Sequence, residues 1–124
     1  MAITTGKLSI TETDYMFIDT ASTATAVTDV FGGSATIHSI NMVNGHSNPA
    51  WLKIYNASSA TVGTTDPDII LKADGSGTNG GRTVWQIIDG IALTNMTYAS
   101  EISAGTSGTS NPDAGNLTIS MVVR

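Results

Sequence analysis

The chain has 124 residues and a formal net charge of −5, a balance that leaves no basic stripe to neutralise phosphates and argues against direct nucleic-acid binding. It contains no cysteine, which removes disulfides, thiolate zinc clusters and cysteine nucleophiles. Only 12% of residues are charged, while Ser, Thr, Gly and Asn together fill 53 positions, a composition that disfavours helices and favours strands and turns.

At this length one compact domain can sustain its core without a metal or disulfide staple. No signal-peptide core is present, and no run approaches the roughly 18 apolar residues of a membrane span. The product is expected to be made soluble in a cytoplasm, with no membrane partner.

Residues 1–6 (MAITTG) read as a small, uncharged N-terminal arm, and residues 7–124 as the domain proper. Segments 7–10 and 15–18 are short apolar-containing runs, compatible with two strands or one bent strand. Residues 19–27 are too small and polar to own a core and read as a loop feeding a strand near 27–31, ended by Gly32 and Gly33. Residues 35–43 carry Ile37, Ile40, Met42 and Val43, an imperfect alternation that predicts a bulge or burial on both faces.

The break at 44–49 contains Asn44-Gly45, a pair that readily takes positive φ, and predicts a hairpin between 35–43 and the following strand. In 50–56, Leu52 and Ile54 point one way while Trp51, Lys53 and Tyr55 point the other. That second face is not an ordinary wet face. A short strand at 68–73 precedes a glycine-rich turn at 74–81, then 82–88 alternates and Asp89-Gly90 is expected to turn the chain again. Further strand pieces are predicted at 91–93 and 96–102. A long loop at 103–115, whose only charge is Asp113, leads to a last strand in which Leu117, Ile119, Met121 and Val123 form a period-two face. About eight strands separated by turns predict an all-β domain, a sandwich or barrel.

The stock of catalytic groups is thin. His38 and His46 are the only histidines, no Gly-x-Ser-x-Gly elbow occurs, and a triad drawn from any of the serines carries no specificity. The carboxylate pairs Glu12/Asp14 and Asp66/Asp68 sit beside turns, where such residues cap their own backbone. Residues 74–81 resemble a calcium loop but lack the later bidentate glutamate, the twelfth position being Trp85, and read instead as a flexible hairpin. No enzyme activity, cofactor or metal is expected. Trp51, Tyr55 and Trp85 put apolar mass on both faces of two strands. They belong to the domain's own core or a sheet edge, to a protein contact surface, or to a sugar-stacking platform.

The segments AWLKIYNAS at 50–58, TVGTTDP at 61–67, IIL at 69–71 and DGIAL at 89–93 resemble a family of small tailed-phage virion proteins, over residues 36–123. In that family an aromatic-Leu-Lys-aliphatic-Tyr strand is followed by a Thr-Val-Gly-Thr loop, an aliphatic strand and a Gly-Gly-Ile/Leu-Ala segment. Asp89-Gly90 departs from the usual Gly-Gly. The resemblance implies a single antiparallel β-sandwich of jelly-roll type that decorates and cements a capsid, commonly as a trimer clamping adjacent major capsid proteins on the outer shell. It carries over no catalytic residue. Contact candidates are Ile3 in the arm, Asn44, His46 and Asn48 in the 44–49 loop, Thr106 and Thr109 in the 103–115 loop, and the aromatic residues Trp51, Tyr55 and Trp85. The arm and loops are nearly free of charge, hence less costly to desolvate. A glycan-binding module of a tail fibre or other virion appendage is the alternative.

Overall fold

The computed structural model describes residues 2–7, 15–75, 81–112 and 117–124. Among these residues there are eight strands: β1 (Ile3–Lys7), β2 (Tyr15–Asp19), β3 (Ala35–Asn44), β4 (Ala50–Tyr55), β5 (Ile69–Ala73), β6 (Gly81–Leu93), β7 (Thr97–Glu101) and β8 (Leu117–Val123). They form two antiparallel sheets, one of five strands in the order β1-β2-β8-β3-β6 and one of three in the order β5-β4-β7. The fold is therefore all-β, as composition and turn spacing predict, and the two layers share one apolar cluster, the arrangement of a β-sandwich.

The alternation of β8 reads directly into the core. Leu117, Ile119, Met121 and Val123 are buried while Thr118, Ser120 and Val122 are half-buried on the other side. In β3 the buried residues are Ala35 and Ile37, then Ile40, Met42 and Asn44. The change of parity falls at a register shift between Ile37 and Ser39, so the irregular pattern reflects a bulge that re-aims the strand. From the small sheet Leu52, Ile54 and Tyr98 complete the cluster. Phe17 stacks edge-on against both Phe31 and Tyr98, with ring centroids 5.8 and 5.6 Å away, a favoured aromatic geometry.

Four local expectations are corrected. β3 and β4 are not a hairpin: β3 pairs with β6 and β8, whereas β4 pairs with β5 and β7. The 44–49 segment is a corner carrying the chain from one sheet to the other. Asn44, itself buried, fixes it by accepting from His46 N at 3.0 Å and donating to Asn48 O at 2.8 Å and Ala73 O at 3.3 Å. An Asn-Gly pair reports that the backbone can turn, but burial of the apolar faces decides which strands then pair.

Asp89-Gly90 likewise does not reverse the chain, because both halves of β6 pair with β3. The register runs Ser39 to Gln86 and then Ile37 to Ile91, so residues 87–90 form an outward excursion opposite His38. Gly90 has φ 76°, and a Cβ there would collide with the Thr36 side chain, so the excursion requires glycine. The expected strand at 27–31 reduces to a single bridge, Val27 with Tyr98. The glycine-rich 74–81 segment does not close a hairpin either, since β5 and β6 lie in different sheets; its residues 76–80 lie outside the described residues, as does the strand expected at 8–10.

Candidate protein interface

The outer face of the small sheet, the unusual face of β4, is covered over β4 and β7 by the protein's own loops, while Ile70 of β5 stays exposed on the same face. Trp51, Lys53 and Tyr55 project from it, and by register they sit beside Glu101, Ala99 and Thr97 of β7. Lys53, Glu101, Thr97 and Ala99 are each 0% exposed and Tyr55 is 1% exposed. The covering comes from 57–68 and 103–112. Lys53 Nζ donates to Gly105 O, Thr97 Oγ1 donates to Ala57 O at 2.8 Å, and Thr106 Oγ1 donates to Asp66 Oδ1 at 2.8 Å. Gly63, at φ 87°, packs its backbone under Thr109, and Gly108 brings the loop backbone against Glu101 Oε2, where a Cβ would collide. The low charge of this loop thus lowers the cost of desolvating it against its own sheet.

Under that cover, Lys53 Nζ lies 2.9 Å from Glu101 Oε1. Neither carboxylate oxygen has an aligned hydrogen-bond partner, nor does the Tyr55 hydroxyl. Burial, and secondarily the charge of Glu101, pushes the Tyr55 phenol above its usual range.

The candidate contact residues do not gather into one patch. Ile3 is exposed on β1, one rim of the large sheet, and Trp85 is exposed on β6, the opposite rim. Four strand spacings separate them, about 19 Å. Asn44, His46 and Asn48 are brought together, but largely to hold the corner, with Asn48 N donating to His46 Nδ1 at 3.1 Å. Thr106 is half-buried and Thr109 exposed on the loop over the small sheet, Trp51 is half-buried, and Tyr55 is enclosed.

Exposed large apolar side chains lie at both rims of the large sheet, Ile3, Tyr15 and Met16 on β1 and β2 and the more exposed set on β6. Val84 is 54% exposed, Trp85 42% and Ile88 96%. Trp85 pairs across from the core residue Ile40 but sits at the rim where the facing sheet ends, while Val84 points outward opposite Asn41. Ile88 lies on the 87–90 excursion, which an alternation pattern alone reads as ordinary strand. Among the described residues β6 has one sheet neighbour, β3, so a backbone edge with no partner strand among them runs beside these side chains. At the far rim a cleft of about 350 Å³ is lined by Thr5, Tyr15, Val30, Phe31, Ser34, Ala35, Val123 and Arg124.

Among the described residues no three His, Asp or Glu side chains converge as metal ligands would. The chain matches no protein-family model and no curated protein.

Proposed function

We propose that this protein is a structural, non-catalytic component of a tailed-phage virion that decorates and cements the capsid by bridging neighbouring major capsid proteins, as a homotrimer. The observation that carries the reading is the β6 rim, where Val84, Trp85 and a nearly fully exposed Ile88 flank an unpaired strand edge. An aromatic anchor beside aliphatic side chains on an open edge has the chemistry of a protein contact.

The strand order supports a jelly-roll topology. With the Val27 bridge counted as a rudimentary strand beside β7, the sheets run β2-β8-β3-β6 and Val27-β7-β4-β5. That is the interleaved order of two nested Greek keys, an architecture used by viral capsid and lectin domains. The segments that resemble phage virion proteins fall on β4, on the 57–68 cover, on β5 and on the β6 excursion. Open rims on opposite sides of one sheet favour a head-to-tail contact, which closes into a ring rather than a two-fold pair. The mechanism is passive. A protein that binds only the assembled shell stabilises it by mass action.

Cryo-microscopy of the virion tests this. Density for the protein at three-fold or pseudo-three-fold positions of the head is expected, and a single set of copies at the tail tip with none on the head would overturn it. The glycan-binding reading has less to stand on, because Tyr55 is enclosed and Trp51 half-buried. Of these three aromatic candidates only Trp85 is exposed.

A further inference from the structure

Lys53 and Glu101 project from adjacent antiparallel strands, one diagonal step apart, since Lys53 faces Ala99 and Trp51 faces Glu101. Both side chains are 0% exposed, Nζ is 2.9 Å from Oε1, and neither carboxylate oxygen has an aligned hydrogen-bond partner. As an ion pair this is a costly arrangement, because charge burial is repaid only when the remaining lone pairs are also satisfied. An amide in the same place carries no charge and is far cheaper to bury.

We propose that Lys53 and Glu101 are joined by an intramolecular isopeptide bond, an amide between Nζ and Cδ that covalently links β4 to β7. The step balances without a co-reactant. A proton passes from the ammonium to the carboxylate, giving an amine and a carboxylic acid. The nitrogen lone pair attacks Cδ, and the tetrahedral intermediate expels one carboxyl oxygen with two protons as water. One C–N bond forms, one C–O bond breaks, and nothing is oxidised or reduced.

The surroundings fit each requirement. The Gly105 carbonyl accepts from Nζ and holds the amine in place. The Gly108 backbone closes over Oε2, excluding the water that would drive hydrolysis. The Tyr55 side chain, enclosed on the same face of β4 as Lys53, helps to keep the site dry. The bond would clamp a cysteine-free sheet as a disulfide does elsewhere, and it stands or falls independently of the virion role.

The test is the intact mass of the purified wild-type protein under denaturing conditions, followed by peptide mapping. The expected mass is lower than the sequence mass by one water molecule, with a branched peptide joining the segments that hold residues 53 and 101. Lys53→Arg and Glu101→Ala are expected at full mass. A wild-type protein at its full sequence mass would overturn the proposal. So would a water loss that maps to a succinimide at an Asp-Gly pair such as Asp89-Gly90. The wild-type measurement needs no variant to fold.

Discussion

The Tyr98 hydroxyl donates to Asp19 Oδ2 across 2.5 Å, tying β7 of the small sheet to β2 of the large one. Asp19 is fully buried, and its second oxygen accepts from Ala21 N at 3.1 Å. Tyr98→Phe keeps the ring and its edge contact with Phe17 but leaves a buried carboxylate oxygen without a donor. A loss of about 1–3 kcal/mol is expected, read as a lower urea midpoint with an unchanged m-value.

The same residue gives the protein an alkaline limit. Burial first, then the hydrogen bond to Asp19 and its charge, hold the Tyr98 phenol far above its usual range, and burial with the charge of Glu101 raises Tyr55. In the unfolded chain both ionise near pH 10. The folded state then binds more protons than the unfolded one, so stability falls as pH rises. It should be insensitive to these groups below about pH 9 and decline above pH 10, by up to about 1.4 kcal/mol per pH unit for each tyrosine. Urea titrations from neutral to strongly alkaline pH check this, and Tyr98→Phe should flatten the decline.

Gly63 makes the cover over the small sheet possible. Its φ is 87°, and an added Cβ would lie 2.5 Å from Thr109 Cγ2. Gly63→Ala is expected to cost more than about 1 kcal/mol. It should also speed amide exchange at Ile102, whose N–H donates to Ser110 O at 3.2 Å. Adding Thr109→Ser removes the colliding methyl and should recover part of the loss, while the backbone strain remains.

The β6 rim separates stability from association. Ile88→Ser is expected to change unfolding free energy by no more than about 0.5 kcal/mol, because the side chain is almost wholly in solvent. Trp85→Ala should weaken binding to capsid shells lacking the protein by about tenfold or more, as loss of an aromatic anchor does. Ile70→Ser, exposed on the other sheet, is the control expected to leave binding unchanged. Co-sedimentation with shells reads all three.

Much of the strand content was legible because burial imposes a period. The β8 face and the β3 irregularity are written in side-chain alternation, and both carry through to the structure. Pairing was not legible. Turn chemistry at Asn44-Gly45 and Asp89-Gly90 is local, while the partner of each strand is chosen by contacts distant in sequence. The face of Trp51, Lys53 and Tyr55 announces itself as dry, but its covering does not. The 103–112 loop has no apolar pattern and seals the sheet with carbonyls and close glycine approaches. Ile88, within a run of alternating residues, offers no sign that four residues oppose one across β3.

The place of β8 between β2 and β3 also shapes how the molecule comes into being. β2 meets its inner neighbour, β8, only across nearly the full length of the chain, with Tyr15 opposite Val123. Of the consecutive strands only β1 with β2 and β4 with β5 are neighbours, so few native contacts reward early, local steps. Such a topology folds slowly, because loop closure is spent before pairing returns it. During synthesis the large sheet has no centre until residue 123 is free, and its two halves wait as open edges. Removing β8 would therefore not trim the protein but leave two unjoined ribbons, with the surfaces that invite aggregation.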